Sequence, residues 1–468
     1  MLITSISGIR GTIGGKSGEN LTPPDVVSFI SAYGSWILSR SKNPTIIIGR
    51  DARKSGDMII NLSISTLRGL GINIINLDLA TTPTVEMQVI KHKASGGIII
   101  TASHNPKEYN GLKMLNEYGE FLSARDGQEI VKRASENNHN FANVDSIGSL
   151  EKTYNHTQEH IDSILNLDLV NVDLIKSKKF KIAVDAINSV GGIAVPMLLE
   201  KLGVEITGLY CDANGEFQHE PEPLEKNLGE LKSLVTKVNA DLGISVDPDV
   251  DRLVFIDEKG EMFGEEYTVV SIADYVLSET PGNTVSNLSS SRALADITNK
   301  YNGNYFASAV GEKNVVEKMK ETSAVIGGEG SGGVIYPPLH YGRDALVGIA
   351  LFLTYLAKRD VSVSALRDEY PNYYMAKEKV VLNPEISVGN ILNHFQELYV
   401  TEKISTIDGV KIDFENSWVH LRASNTEPIL RIYTEAQSQE LADDLAQKFI
   451  TSIDYMFNLF LGHYRTDW

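Results

Sequence analysis

The sequence predicts an α/β protein: three similar mixed-sheet α/β domains followed by a smaller α+β C-terminal domain. Short β-rich runs alternate with apolar-periodic helical stretches, the pattern restarts twice, and the last hundred residues change character. Length agrees, because 468 residues exceed one core and correspond, at roughly 150 residues per domain, to about three or more.

The first unit opens with Thr45-Ile46-Ile47-Ile48-Gly49-Arg50-Asp51, a strand running into a loop, then an apolar-periodic helix through Leu70. A second strand, Ile72 to Leu77, ends near Thr81-Thr82-Pro83, and Gly97-Ile98-Ile99-Ile100 follows after a helix rich in Val and Met. This βαβαβ order requires a parallel or mixed sheet covered by helices. The polar region 134–160 reads as a connector. The second unit begins with Phe180 to Asp185, continues through the glycine pair Gly191-Gly192 and a helix to Leu202, and includes Val204 to Thr207 and Leu242 to Val246. The third spans about Thr268 to Leu356, with strands at Asn283 to Asn287 and Ser323 to Gly327. In the tail, Val410 to Phe414, Trp418 to Arg422 and Ile429 to Tyr433 alternate as antiparallel strands do, and a helix follows from Ser438. The expected domains are 1–160, 161–265, 266–375 and 376–468.

Composition narrows the function. A formal charge of -18 excludes a basic footprint for nucleic acid or anionic membrane, so arginines gathered in a few loops carry weight. Cys211 is the only cysteine, which excludes an intrachain disulfide or a thiolate cluster. The amino terminus lacks a basic region followed by an apolar run, and the expectation is a soluble cytoplasmic protein.

Four segments carry chemistry. Thr101-Ala102-Ser103-His104-Asn105-Pro106-Lys107-Glu108-Tyr109-Asn110-Gly111 follows a buried strand and so places Ser103 at the ligand-binding end of a sheet. No Gly-x-Ser-x-Gly elbow surrounds the serine, which weakens an acyl-hydrolase reading in favour of phosphoryl transfer. Asp247-Pro248-Asp249-Val250-Asp251-Arg252 spaces three carboxylates by two, so an extended loop would point them to one side, where a hard divalent cation such as Mg2+ neutralises their repulsion. An EF-hand fails because Arg252 occupies the turn glycine's place and the flanks are strands. Gly327-Gly328-Glu329-Gly330-Ser331-Gly332-Gly333 allows close approach of backbone to a ligand, with Glu329 and Ser331 facing vicinal hydroxyls. Arg422-Ala423-Ser424-Asn425-Thr426-Glu427-Pro428, with Arg431, has the composition of a phosphate clamp. Arg10, in the glycine-flanked Ser7 to Thr12, and Lys113, a candidate acid/base, are further site residues. Gly14-Gly15-Lys16-Ser17 is not a P-loop, since its first glycine would fall at Arg10.

With these four segments in order along its whole length, the chain resembles the α-D-phosphohexomutase superfamily. The resemblance implies four domains around a central cleft, each donating one loop. It implies a phosphoserine at Ser103, Mg2+ held by Ser103, Asp247, Asp249 and Asp251, and a hexose bisphosphate as activator. Arg10, His104, Lys113 and Arg252 would line the transfer site with Lys113 as general base. Glu329 and Ser331 would grip the sugar, and Arg422, Ser424, Asn425, Thr426 and Arg431 would hold the phosphate not in transfer. The implied activity interconverts hexose 6-phosphate and hexose 1-phosphate. Asn425 resembles the mannose- and glucose-type branch, and Gly333 stands where bacterial phosphoglucosamine mutases have histidine, whereas the wording Gly328 to Tyr336 and Tyr341-Gly342-Arg343-Asp344 resembles a branch of phosphoglucosamine mutases and dual-specificity enzymes. The expectation is phosphoglucosamine mutase, with a dual-specificity phosphomannomutase/phosphoglucomutase as alternative. A metal-dependent sugar-phosphate phosphatase and a non-catalytic sensor are the competing classes. Oligomeric state is not legible.

Overall fold

The computed structural model describes residues 2–5, 8–382, 387–424 and 429–463. Its first sheet has seven strands in the order Leu2–Ser5, Gly8–Thr12, Tyr109–Leu115, Gly96–Ile100, Thr45–Arg50, Asn73–Leu79, Leu150–Lys152. Thr45–Arg50 pairs parallel with both neighbours, while Tyr109–Leu115 returns antiparallel to Gly96–Ile100. The second sheet repeats those inner four strands as Leu253–Asp257, Leu242–Val246, Lys181–Asp185 and Glu205–Leu209. The third repeats them as Gly333–Ile335, Ala324–Glu329, Asn283–Asn287 and Tyr305–Ser308. Orientations match in all three: one antiparallel pair, then two parallel ones.

This shared topology positions the site. In each unit a largely buried parallel strand ends at the C-terminal edge of the sheet and turns back as a hairpin. Gly96–Ile100 and Leu242–Val246 are buried at every residue, as strands covered on both faces must be. The hairpin tips hold the serine segment, the aspartate segment and the glycine-dense segment respectively.

The second and third units share one apolar core. Phe255 stacks on Phe352 with ring centroids 3.9 Å apart. The helix Ala345–Arg359 is buried at every position from Ala345 to Ala357, as expected of a helix that is apolar all round. The expected divisions fall inside elements here. The helix His156–Leu165 runs through residue 160, and the strand Tyr374–Val381 runs through residue 375. The region 134–160 is more than a connector, because Leu150–Lys152 adds an edge strand parallel to Asn73–Leu79. Three exposed residues leave no hydrophobic pattern from which to read it.

The last unit is a wholly antiparallel sheet in the order Tyr374–Val381, Ile429–Ala436, Trp418–Ala423, Val410–Asp413, Lys403–Ser405, covered by the helix Gln439–His463. It meets the third unit through polar contacts. Lys411 Nζ donates to the Leu288 carbonyl at 2.9 Å, and Arg292 donates to the carbonyls of Glu415 and Ser417 at 3.0 and 2.9 Å. No described helix is long and apolar enough to cross a membrane.

One of these contacts makes stability depend on pH. His420 Nε2–H donates to the Asp408 carbonyl at 2.6 Å, so Nδ1 accepts from the Ser289 hydroxyl at 2.9 Å, and the ring is neutral. Burial pulls the imidazole down to about 4, against the opposing hydrogen bond to Asp408. An unfolded histidine takes up its proton near 6.5, so unfolding absorbs a proton between about 6.5 and 4. Folded-state stability should therefore fall as pH drops through that window, by up to about 3 kcal/mol. Urea unfolding at pH 7.5 and pH 4.5 should show this slope in the wild type and a shallower one in His420→Gln.

Candidate active site

The serine loop is built around Arg53, a buried guanidinium that satisfies carbonyls the turn leaves open. Its Nη2 donates to the carbonyls of Ser103 and Asn105 at 2.5 and 2.6 Å, and its Nη1 to those of Pro106 and Tyr109 at 2.7 and 2.9 Å. Asp51 holds Arg53 at 3.1 Å and accepts the Thr101 hydroxyl at 2.7 Å, while Thr101 Oγ1 accepts the Ser103 N–H at 2.8 Å. This brace sustains Ser103 at φ 49, a left-handed conformation that costs a non-glycine residue about 1–2 kcal/mol.

The aspartates converge through a tight turn, which corrects the expectation of an extended loop. The Val250 N–H donates to the Asp247 carbonyl at 3.1 Å and Val250 sits at φ 64. Burial of its side chain in the shared core holds this branched residue there. One oxygen from each of Asp247, Asp249 and Asp251 then lies within 4.8 Å of the others.

The two segments meet. Ser103 Oγ–H donates to Asp247 Oδ2 at 2.8 Å, and Asp247 Oδ1 accepts from the Asp251 and Arg252 amides at 3.1 and 3.2 Å. Asp249 Oδ2 accepts from Thr82 Oγ1 and Lys113 Nζ, both at 2.6 Å. Asp251 Oδ2 accepts from Lys113 Nζ at 3.1 Å and Arg343 Nη2 at 2.7 Å. The remaining oxygens, Asp249 Oδ1 and Asp251 Oδ1, are buried without hydrogen-bond partners. Two such oxygens beside a serine hydroxyl fit a hard divalent cation, which takes carboxylate oxygens and completes its shell with water or phosphate.

Charge around the trio is uneven. Burial, then Asp251 and Asp249, raise the Asp247 carboxyl well above the usual carboxylate range. Burial would raise Asp251 as well, but Arg343, Lys113 and Arg252 outweigh it and hold that carboxyl low. Burial alone would lower Lys113, yet Asp249 and Asp251 raise it, so the ammonium stays charged. Lys113 thus neutralises Asp249 and Asp251 in this arrangement. His104 is the opposite case. Burial, with Arg252 and Arg10 close by, pulls its imidazole well below the ordinary range. Its Nδ1 lies 3.3 Å from Ser103 Oγ.

Arg10, His104, Lys113 and Arg252 line one cleft of about 1120 Å³ together with Glu329, Ser331, Arg422 and Arg431. The sugar loop lies directly on the strand that follows the aspartates. Gly332, at φ 86, would place a Cβ 2.2 Å from the Leu253 carbonyl, and its own carbonyl accepts the Leu253 N–H at 3.0 Å. The Glu329 carboxylate reaches the cleft already tied. Oε1 accepts from Asn287 at 2.9 Å and from the Gly311 amide at 3.1 Å, and Oε2 accepts from Arg343 at 2.8 Å. Ser424 follows the strand Trp418–Ala423, its N–H donating to the Ile429 carbonyl at 2.9 Å. Asn425 and Thr426 lie outside the described residues, as does Ser7.

Sequence reasoning missed the residues that organise these loops. Arg343 binds Asp251 at 2.7 Å, Glu312 at 2.8 Å and Glu329 at 2.8 Å, joining the aspartate loop to the sugar loop. Its neighbourhood, Tyr341 to Asp344, stood out in the sequence only as a wording. Arg53 and Thr82 gave no signal, because each acts through backbone carbonyls or a single distant carboxylate.

A reactive serine against a buried acidic trio, facing cationic side chains across one cleft, defines a phosphoryl-transferring α/β enzyme. Four phosphoglucomutase/phosphomannomutase domain models match in sequence: alpha/beta/alpha domain I over residues 2–141, domain II over 158–260, domain III over 264–374 and the C-terminal domain over 376–452. The chain belongs to this family of the α-D-phosphohexomutase superfamily and is a phosphohexomutase. It is 36% identical to a phosphoglucomutase/phosphomannomutase of Thermococcus kodakarensis, over 92% of this chain and 95% of that protein. It is 32% identical to a phosphoglucosamine/phosphogalactosamine mutase of Sulfurisphaera tokodaii, over 94% and 96%. A crystal structure of a phosphoglucomutase/phosphomannomutase family protein from Burkholderia thailandensis superposes with a TM-score of 0.84 at 26% identity, covering 97% of this chain and 98% of that one.

Removing the Arg343 guanidinium should leave three buried carboxylates short of a partner. Arg343→Gln is expected to lower the unfolding free energy by about 3–5 kcal/mol, and Arg343→Lys to recover only part of it, since one ammonium cannot serve three carboxylates. Urea denaturation followed by circular dichroism measures both; a loss below about 1 kcal/mol would show that the hub is dispensable.

Proposed function

We propose that this phosphohexomutase acts through a phosphorylated Ser103 and a hexose bisphosphate, with glucosamine phosphate as its preferred substrate. The observation that carries the reading is the contact of Ser103 Oγ with the aspartate trio, with Arg422 and Arg431 lining the same cleft. A hydrolase has no use for a second phosphate site, and a sensor has no use for a serine so placed.

The free hydroxyl of a bound hexose monophosphate attacks the phosphorus of phosphoserine 103. The bond from phosphorus to Oγ breaks as the new P–O bond forms, and the hydroxyl proton leaves to a base. His104, neutral and beside Oγ, is suited to that role. The bisphosphate then turns over within the cleft and returns its other phosphoryl group to Ser103, so that phosphate has moved between the primary hydroxyl and the anomeric oxygen. Arg10 and Arg252 neutralise the phosphate at the serine, Arg422 and Arg431 hold the other, and Glu329 and Ser331 orient the ring. Ser424, Asn425 and Thr426 complete that phosphate site in this reading. Mg2+, held by Asp247, Asp249, Asp251 and a phosphoserine oxygen, supplies charge stabilisation of the transferring phosphoryl group. A hexose bisphosphate primes the resting serine.

The amino-sugar preference is supported by the Sulfurisphaera relative's name. The Thermococcus relative's name favours the second reading, dual specificity for mannose and glucose phosphates.

Ser103→Ala should bind substrate normally yet lose turnover, and His104→Gln should lower kcat about 10²–10⁴-fold with KM little changed. EDTA should abolish activity and Mg2+ restore it. Side-by-side kcat/KM values on glucosamine, mannose and glucose 1-phosphates decide the substrate; a tenfold preference for mannose or glucose would overturn the amino-sugar assignment.

A further inference from the structure

A second polar cluster lies buried outside the cleft lining. His160 comes from the helix His156–Leu165, Thr84 and Glu86 from the helix Thr82–Lys91, and His340 and Asp344 from the segment leading into Ala345–Arg359. His160, His340 and Asp344 are 1%, 4% and 0% exposed. Asp344 Oδ2 lies 2.8 Å from His160 Nε2 and 3.2 Å from His340 Nε2. Its other oxygen caps the following helix, accepting the Leu346 and Val347 amides at 2.8 and 3.3 Å, which fixes the carboxylate in place. Each imidazole has its own partner at the opposite nitrogen: Thr84 Oγ1 is 2.9 Å from His160 Nδ1, and Glu86 Oε2 is 3.4 Å from His340 Nδ1. Metal-bound histidines show this pattern, with one nitrogen to the ion and the other N–H to an oxygen that sets the ring.

Glu86 supplies an independent reason. It is fully buried, and neither of its carboxylate oxygens has a hydrogen-bond partner. Among the described residues its only ion-pair partner is His340, and Asp344 pairs only with the two histidines. Burial, then the Glu312 carboxylate, raise the Glu86 carboxyl well above the usual range, and Asp344 has only the two imidazoles to balance its charge. When a neutral His340 gives its Nε2–H to Asp344, its Nδ1 lone pair faces Glu86 Oε2 at 3.4 Å, a contact satisfied only by a protonated Glu86. An ion at Nε2 places the proton on Nδ1 and turns that contact into a hydrogen bond.

The geometry points to a second metal site, formed by His160 Nε2, His340 Nε2 and Asp344 Oδ2, that takes a borderline transition ion such as Zn2+. Two imidazoles and one carboxylate are a zinc donor set, whereas magnesium takes oxygens. Tetrahedral zinc ligands sit about 3.3 Å apart; here Asp344 Oδ2 lies 2.8 and 3.2 Å from the two ring nitrogens, and all three atoms lie within 4.8 Å of one another. The site braces the aspartate loop from behind. Thr82, which bonds Asp249, shares a helix with Glu86, and Arg343, which bonds Asp251, adjoins Asp344. This inference stands apart from the choice of substrate and from the phosphoserine mechanism.

The test uses full-length protein stripped with a chelator and titrated with Co2+, read by visible absorption and by elemental analysis after desalting. Wild type and Asp249→Asn should both bind Co2+ with the intense band of a tetrahedral nitrogen–oxygen site, and His340→Gln should lack it. Thr84→Val, which keeps every ligand, should weaken Co2+ binding about 10–100-fold, and this variant decides the matter if the histidine variant does not fold. Zn2+ should raise the Tm of wild type and leave that of His340→Gln unchanged. A wild type without the band, a band lost in Asp249→Asn but kept in His340→Gln, or a Thr84→Val affinity equal to wild type would each overturn the second site.

Discussion

Three buried carboxylates within 4.8 Å of one another are the constraint around which this molecule is arranged. Like charges about 4 Å apart repel by ~4 kcal/mol per pair at an effective dielectric of 20, and burial removes the water that would otherwise screen them. The protein meets that cost locally. Lys113 reaches Asp249 and Asp251 from a strand of the first unit, Arg343 reaches Asp251 from the third, and Thr82 and Ser103 donate hydroxyl hydrogen bonds. Compensation is incomplete, since two carboxylate oxygens stay unpaired. That residual charge, next to a serine hydroxyl, is what makes the place suited to a cation and a phosphate together.

Such convergence requires loops from separate units to arrive with fixed geometry, and the repeated four-strand topology provides it. Each unit ends a buried parallel strand at the sheet edge and returns antiparallel, so each presents one tight hairpin tip. Because these strands are largely buried, the charged residues of the site gather at the tips, with Glu329 closing its strand. The packing between tips is equally specific. Gly332 admits no side chain against the Leu253 carbonyl, and Arg53 admits no other course for the backbone from Ser103 to Tyr109.

The same confinement explains what could be read from the sequence. Residues acting at a tip appear as compact motifs: Ser103 with His104, Asp247 to Arg252, Glu329 with Ser331, and Arg422 onward. The unit order and most core strands were legible because buried parallel strands leave unbroken apolar runs. Arg53, Thr82, Arg343 and Glu312 were not, since they act on partners distant in the chain, as Thr82 does on Asp249 167 residues away and Arg343 on Asp251 92 residues away, and such pairing leaves no local pattern. Lys113 was legible as a residue while its partners were not, because the aspartates it contacts are more than a hundred residues distant. The edge strand Leu150–Lys152, exposed throughout, had no hydrophobic face to announce it.

The contrast between interfaces carries one more step. The second and third units are fused through aromatic stacking and a fully buried helix, so the aspartate loop and the sugar loop move as one body. The fourth unit, which carries Arg422 and Arg431, meets the third through polar contacts: hydrogen bonds to carbonyls and hydroxyls, and the Arg292–Glu435 ion pair at 3.5 Å. The mechanism we propose holds a sugar bisphosphate in either of two orientations, which needs rigidity where charge is transferred and adjustability where the other phosphate is held. Apolar burial around the aspartates and polar docking around the clamp distribute those properties in that sense.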